Sequence, residues 1–207
     1  MLNIDVRIEG IDKFLSDHDP RKVTLAIHSA LNKVAQQART KAADMIGSEF
    51  VIQKSRINKF LRVSTRSAGN SFSVVITGQG MGISLAYFGA RQEGVKIDRK
   101  LKKVAYNKRS HRSGNLRYGG RVSVQVKRGA GQKFLSGSPK PFMAILKSGH
   151  QAIFQRTGKG RLPVEPLFGP GVGGLFGSDR IRKEVGYFID EKFEPIFLAD
   201  LKWRQEK

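Results

Sequence analysis

The sequence predicts an α+β fold in which an antiparallel sheet packs against a long N-terminal helix and a C-terminal helix. Apolar residues recur at helical spacing near both ends of the chain, and short segments of alternating apolar and polar residues lie between them. We therefore expect a single domain over residues 1–207, with a basic loop inserted at about 98–121 and a Gly- and Pro-rich extended segment at 157–178.

The N-terminal part of the chain predicts one strand and one long helix. Apolar and polar residues alternate over 2–8, which is typical of an edge strand. Asp19 and Pro20 favour a helix start, because aspartate caps helices and proline is tolerated at the first helical position. Helical spacing of apolar residues then predicts a helix over 20–46, and Gly47 is a suitable stop.

The middle of the chain predicts short strands and tight turns. Ser55 is a candidate cap for a short helix that ends at Phe60. Alternating residues predict strands at 61–65, 72–76, 83–88, 122–126, 142–146 and 152–156, of which the first two and the last two form hairpins. The glycines at 78–82 and 169–174 lack the spacing of a nucleotide-binding loop and predict turns or hinges.

The C-terminal part predicts an extended segment followed by a helix. Residues 157–178 are rich in Gly and Pro, and Pro163 disfavours a central strand. Ser178 can cap the last helix, whose apolar stripe runs to residue 201. Pro195 should kink this helix or break it near Glu191.

Charge is unevenly distributed along the sequence. The chain carries 38 Lys and Arg against 17 Asp and Glu, a formal net charge of +21. Residues 1–20 contribute −3, residues 21–178 contribute +24 and residues 179–207 contribute 0. Within residues 21–178, residues 98–133 hold twelve basic residues and one acidic residue, and 98–121 is the densest part. The positive charge therefore belongs to the middle of the chain.

The basic block at 98–121 is expected to be an extended or mobile loop, because its like charges repel one another. It is either a solvated surface loop or a contact site for a polyanion or an acidic protein face. The candidate contact residues are Arg99, Lys100, Lys102, Lys103, Lys108, Arg109, Arg112, Arg117 and Arg121.

Several classes of site are disfavoured by composition. The chain has no cysteine, which excludes disulfides, thiolate metal sites and a cysteine nucleophile. Its four histidines are scattered, and the acids of the basic middle do not form a cluster typical of a metal-dependent nuclease. We expect no catalytic residues, metal or cofactor. The N-terminal residues do not resemble a signal peptide and the apolar runs are too short for a membrane helix.

The segment PFMAILKSGHQAIFQRTGKGRLPVEPLFGPGV at 141–172 combines an aromatic strand, a Lys-Ser-Gly-His turn, Phe-Gln-Arg, Arg-Leu-Pro-Val and Gly-Pro. It resembles the prophage minor tail protein Z family of long-tailed phages. The alanine-rich first helix and the basic stretch at 54–66 are also similar, so the resemblance covers about residues 20–200. The motif residues are Phe142, Lys147, Gly149, His150, Phe154, Arg156, Arg161, Pro163, Gly169 and Pro170.

The resemblance implies a virion structural protein and not an enzyme. It implies a tail-completion fold that forms a homo-oligomeric, six-fold ring at the head-proximal end of the tail, joins tail to head and surrounds the DNA path. The implied partners are further copies of the chain, tail terminator or tail-tube proteins, head-connector proteins and phage DNA, with no membrane. Assembly would take place in the host cytoplasm.

One alternative function remains open from the sequence. A general nucleic-acid-binding protein would use the basic block 98–133 for tight, salt-dependent binding.

Within the motif, Phe142, Phe154 and Phe168 are expected in the core. Arg156 and Arg161 either bridge subunits or face solvent.

Overall fold

A computed structural model describes residues 2–7, 16–68, 71–93, 95–98, 103–106, 120–145, 151–160 and 162–206. The chain divides into two compact units. Unit 1 comprises residues 1–46, 54–81 and 171–207, and unit 2 comprises residues 47–53 and 82–170. The expectation of a single domain stays a prediction. The α+β class is confirmed, with long helices near both ends of the chain.

Unit 1 contains a three-stranded antiparallel sheet of order β1-β3-β2. Its strands are β1 (Leu2–Arg7), β2 (Leu61–Ala68) and β3 (Ser71–Gly78), and its helices are α1 (Pro20–Glu49), α2 (Lys54–Phe60), α3 (Val172–Phe176) and α4 (Asp179–Gln205). The last turn of α1 extends into unit 2. The predicted edge strand, first hairpin, short helix and two long helices are all confirmed.

Helix α1 forms where its cap and apolar spacing predict it. The Asp19 carboxylate accepts a hydrogen bond from the Arg21 backbone N–H at 2.9 Å, which satisfies one of the free donors of the first turn. The inward face is rich in alanine, which permits close packing, and includes Val23, Ala26, Ile27, Ala30, Leu31, Val34, Ala38 and Ala42. The helix continues past the predicted stop at Gly47 to Glu49.

Helix α4 is continuous through Pro195, so the expected break near Glu191 is wrong. Proline removes one backbone hydrogen bond, but Ile189 and Phe197 are buried on either side of it. Packing of this apolar face holds both halves of the helix in one element. Ser178 occupies the N-cap position, although its side chain makes no capping hydrogen bond.

Glycines bring α3 against the end of β3. The Gly173 N–H donates to the Gln79 carbonyl at 2.8 Å, and a Cβ at Gly173 would lie 2.8 Å from the same oxygen. A Cβ at Gly78 would lie 3.0 Å from the Gly173 Cα. These two glycines therefore permit backbone contact. Residues 172–174 belong to helix α3, so the prediction that 169–174 forms only a turn or hinge is wrong.

Unit 2 consists of short antiparallel strands. They are β4 (Gly82–Ser84), β5 (Arg91–Gln92), β6 (Val95–Asp98), β7 (Lys103–Tyr106), β8 (Val122–Val124), β9 (Lys133–Phe134), β10 (Phe142–Ile145), β11 (Gln151–Arg156), β12 (Val164–Pro166) and β13 (Phe168–Gly171). The sheets have the orders β5-β8-β9, β10-β11-β12, β4-β13 and β6-β7. One cluster of its core comprises Ala86, Val122, Val124, Met143 and Ile153.

Buried Gln92 connects different parts of unit 2. Its side-chain oxygen accepts a hydrogen bond from the Met143 N–H at 2.9 Å, and its side-chain amide donates to the Gly120 carbonyl at 3.3 Å. This glutamine is 7% exposed, so the two bonds satisfy a polar group within the interior.

Three sequence expectations for unit 2 need correction. The strand predicted at 83–88 is strand β4 followed by a 3₁₀ turn at Leu85–Tyr87, because the Ser84 hydroxyl accepts from the Ala86 N–H and caps that turn. The basic block 98–121 is not all loop, since β7 pairs with β6. Helix α3 interrupts the predicted extended segment 157–178, and β12 is an edge strand, as Pro166 allows.

Candidate functional site

The family-like motif begins on the sheet β10-β11-β12. Phe142 pairs with Phe154 across the two strands, and their ring centres are 6.1 Å apart. Phe154 is buried at 3% exposure, whereas Phe142 is partly buried. The second predicted hairpin is therefore confirmed, and Phe154 lies in the core as expected.

Arg156 ends strand β11 and holds the segment that follows. Its guanidinium lies 5.3 Å from the centre of the Phe142 ring, and Nη1 donates to the Gly160 carbonyl at 3.1 Å. The Thr157 N–H and hydroxyl both donate to the Pro163 carbonyl, at 3.3 and 3.4 Å. We call residues 157–163 the Leu162 loop. Arg156 thus contacts its own unit, which is neither of the two roles that the sequence suggested.

The Leu162 loop presents an apolar residue to solvent. Leu162 is 73% exposed, and Pro163 and Lys159 are also exposed. No acidic residue occurs between Thr157 and Pro163, whereas Lys159 and Arg161 are basic. An exposed leucine that follows two basic residues in the sequence is a candidate contact site.

Gly169 and Pro170 lie in β13, which pairs with β4. A Cβ at Gly169 would come within 2.9 Å of the Phe88 ring, so glycine is required for this close approach. The expectation that Phe168 is a core residue is wrong, because its side chain is 56% exposed. Strand alternation explains the error, since neighbouring residues of a strand point to opposite faces.

Most of the predicted contact residues lie outside the described residues. These are Arg99, Lys100, Lys102, Lys108, Arg109, Arg112 and Arg117 of the basic block, and Lys147, Gly149, His150 and Arg161 of the motif. Lys103 is the first residue of β7.

Arg121 is the predicted basic contact whose side chain the structure describes. Its guanidinium lies 4.1 Å from the centre of the Phe134 ring, and its backbone N–H donates to the Glu93 carboxylate at 3.0 Å. The Arg121 side chain is 61% exposed. Phe134 is 50% exposed, so this arginine lies on an aromatic surface that solvent reaches.

Further exposed bases extend the positive surface of unit 2. Lys127, Arg128 and Lys133 are exposed, although the candidate list from sequence ended at Arg121. Arg128 Nε donates to the Gly47 carbonyl at 2.8 Å, which fixes its stem near the end of α1. Unit 2 as a whole has 19 Lys and Arg against four Asp and Glu, while unit 1 has 19 against 13. The excess charge therefore belongs to unit 2.

Unit 1 has a groove that sequence reasoning missed. It has a volume of about 590 Å³ and is lined by Lys33 of α1 and by Pro195, Ile196, Ala199, Asp200 and Trp203 of α4. We call it the α4 groove. Trp203 is 51% exposed. The sequence signal that could have found this groove is the four-residue spacing of Pro195, Ala199 and Trp203, which places them on one face of a helix.

Asp200 forms the polar wall of the α4 groove. Lys33 Nζ and Arg204 Nε each lie 2.9 Å from its carboxylate, and the Ser29 hydroxyl donates to it at 3.3 Å. Burial by itself would raise the pKa of Asp200, but the hydrogen bonds and charges of Lys33 and Arg204 outweigh it and lower the pKa below the ordinary aspartate value. The carboxylate is therefore held in its charged form.

Two kinds of feature are absent from the described residues. No group of three or more His, Asp or Glu side chains within the described ranges is placed to hold a metal ion. No helix in the part of the chain that the structure describes is long and apolar enough to cross a membrane.

The chain with this α+β fold and these surfaces is a phage tail protein. The chain belongs to the prophage minor tail protein Z family, whose model matches residues 9–195. The resemblance stated from the motif at 141–172 is thus confirmed, and with it a structural role in the phage tail. No curated protein and no solved structure matches the chain. The family match ends at Pro195, so most of the α4 groove lies beyond it.

Proposed function

We propose that this tail protein forms a ring, with six copies as the expected number, at the head-proximal end of the phage tail. There it joins tail to head and surrounds the path of the DNA. Its action is assembly without turnover, and it needs no cofactor. Its partners are further copies of itself, tail terminator or tail-tube proteins and head-connector proteins.

The observation that carries this proposal is the family membership over residues 9–195 together with the charge of unit 2. A protein around a DNA path has to tolerate phosphate groups of any sequence, and exposed Lys and Arg provide such contacts. Arg121, Lys127, Arg128 and Lys133 are exposed bases on and beside β8 and β9. Dispersed single charges bind weakly enough to let DNA pass.

A ring subunit also needs two different surfaces that meet on neighbouring copies. The Leu162 loop and the α4 groove are two such surfaces, each with an exposed apolar residue. The same basic face of unit 2 is alternatively suited to an acidic surface of a neighbouring tail or connector protein.

The second candidate function is general nucleic-acid binding through the basic block 98–133. The exposed bases around Arg121 favour it. It differs from the tail-ring proposal in affinity: an isolated monomer would bind DNA or RNA tightly, with affinity that falls steeply as salt rises.

Labelling of virions tests the tail-ring proposal. A tagged copy of the protein is introduced into a phage that lacks its own, and purified virions are labelled with gold-conjugated antibody. We expect label where tail meets head, and separate heads and tails when the protein is absent. Label along the tube or at the distal tip, or absence of the protein from purified virions, contradicts the proposal.

A further inference from the structure

We infer that copies of this chain join head to tail, with the Leu162 loop of one copy bound in the α4 groove of the next. The inference rests on the proposed function, because it supplies the contact through which copies would form a ring. The two surfaces lie on different units of the chain, so the contact is heterologous and leaves one loop and one groove available for further copies.

The Leu162 loop has the properties of a preformed binding element. Its leucine is 73% exposed, yet the backbone around it is held by hydrogen bonds from Arg156 to Gly160 and from Thr157 to Pro163. A loop whose backbone is already held by hydrogen bonds loses less conformational entropy on binding. An exposed leucine on such a loop gains free energy when it is transferred from water to an apolar surface.

The α4 groove offers that apolar surface. Pro195, Ile196, Ala199 and Trp203 provide apolar lining. The charged residues of the lining, Lys33 and Asp200, pair with each other at 2.9 Å. An incoming leucine therefore meets aliphatic and indole surface beside charges that are already compensated.

Charge selects the loop of a second copy as the occupant. The Leu162 loop carries Lys159 and Arg161 and no acid, whereas residues 190–206 of α4 and its C-cap carry five acids and three bases. Glu194, which precedes Pro195 of the groove lining in sequence, is exposed and adds one of these negative charges. Opposite charges favour the loop–groove pair, while two loops repel each other, so the contact between unlike surfaces is preferred.

Disulfide trapping tests this contact, since the chain has no cysteine of its own. One protein preparation carries Leu162→Cys and a second, distinguished by a mass tag, carries Ala199→Cys. The two are mixed under mild oxidation, and the tagged–untagged dimer is followed with time. Because each chain has one thiol, every such dimer is intermolecular. Trapping also captures contacts that are too brief for a stable oligomer.

The matched control pairs Leu162→Cys with Tyr187→Cys. Tyr187 lies on the same helix and is 72% exposed, but it is not part of the groove lining. We expect the Leu162–Ala199 pair to cross-link about tenfold faster than the control, because a formed contact raises the effective thiol concentration. Equal rates for the two pairs overturn the inference.

A second measurement uses assembled tails. We expect Ala199→Cys and Leu162→Cys chains incorporated together to form dimers of this chain. A cross-link from Ala199→Cys to a protein of different mass, with no dimer, overturns the inference because the groove then has another occupant. Tails that contain the protein at the head-proximal end but yield no Leu162–Ala199 dimer reject this contact alone. Absence from virions rejects the proposed function, whatever the trapping rate.

Discussion

The guanidinium of Arg156 lies 5.3 Å from the centre of the Phe142 ring, and the same side chain donates to the Gly160 carbonyl. One residue thus connects the β10-β11 hairpin with the Leu162 loop. This contact gives Phe142 and Arg156 of the motif at 141–172 a structural role within unit 2.

Replacement of Arg156 by alanine should loosen the Leu162 loop and leave the rest of unit 2 folded. The loop then opens locally more often, so trypsin cleavage after Lys159 should accelerate severalfold. Mass spectrometry of timed digests measures cleavage at this one bond. Arg91→Ala is the control, since Arg91 is an exposed arginine of the same unit on strand β5. Unchanged cleavage after Lys159 would show that Arg156 does not hold the loop.

Gly173→Ala should destabilise unit 1. The new Cβ would lie 2.8 Å from both the Gln79 carbonyl oxygen and the Gly78 carbonyl oxygen, and backbone atoms cannot move aside cheaply. We expect a loss of about 1–3 kcal/mol in the free energy of unfolding, measured in urea. Gly174→Ala is the matched control in the same helix, because no atom lies within 4 Å of its Cβ position. Equal stability of the two variants would contradict the close backbone contact.

Gln92→Leu should destabilise unit 2 although it places an apolar residue in an apolar interior. The Met143 N–H would lose its partner at 2.9 Å, and an unsatisfied buried donor costs about 1–3 kcal/mol. Urea denaturation measures the difference. Gln132→Leu is the control, because Gln132 is exposed and its bond to the Gly89 carbonyl can be replaced by water. A Gln92→Leu protein as stable as the wild type would argue against the hydrogen bonds of the Gln92 side chain.

Asp200→Asn should weaken the connection between α1 and α4, because the charge-assisted hydrogen bonds from Lys33 and Arg204 are lost. We expect the free energy of unfolding to fall by about 1–2 kcal/mol. The half-exposed position of Lys33 limits the loss, since water replaces part of its interaction. The pKa of Asp200 is lowered in the folded protein. Its stabilisation is therefore fully present above the unfolded-state pKa and disappears as pH falls through the folded-state pKa.

Urea denaturation of wild type and Asp200→Asn at a series of pH values checks this prediction. The stability difference should shrink towards acidic pH, whereas Asp190→Asn, an exposed change on the same helix, should differ little from wild type throughout. A difference between wild type and Asp200→Asn that stays constant across the acidic range would contradict a role for the charged carboxylate.

Neutralising the exposed bases near β8 and β9 should reduce the salt dependence of DNA binding. Replacement of Arg121, Lys127, Arg128 and Lys133 by glutamine should lower the slope of log affinity against log salt by about 0.9 for each phosphate contact removed. Fluorescence anisotropy with duplex DNA at several salt concentrations measures the slope. The charge-matched control replaces four exposed bases of unit 1, Lys59, Arg62, Arg182 and Lys183. The same loss in both quadruple variants would mean that net charge alone governs binding.

Elements defined by local periodicity were predictable from the sequence. Helix α1 has both its Asp19 cap and a long apolar face, and strands β10 and β11 alternate on either side of a short turn. Each signal is contained within a few neighbouring residues. The family motif was equally local, so the prophage minor tail protein Z family was found from residues 141–172 and confirmed over 9–195.

Features that depend on distant residues were not predictable in the same way. Helix α3 forms within a glycine-rich segment because Gly173 contacts Gln79, more than ninety residues earlier in the chain. Helix α4 survives Pro195 because its buried residues pack on both sides of it. The α4 groove requires Lys33 and Trp203 to come together, and spacing along one helix does not reveal that partner.

The chain leaves unit 1 after Met81 and returns to it at Gly171, and a Cβ on Gly171 would lie only 2.6 Å from the Met81 carbonyl oxygen. The two residues of unit 1 that flank the segment 82–170, Met81 and Gly171, are therefore in contact. A recombination event that replaced residues 82–170 with another segment of equally close ends would leave the backbone of unit 1 in place. Such a replacement would change the strongly charged part of the protein and retain the part built on α1 and α4.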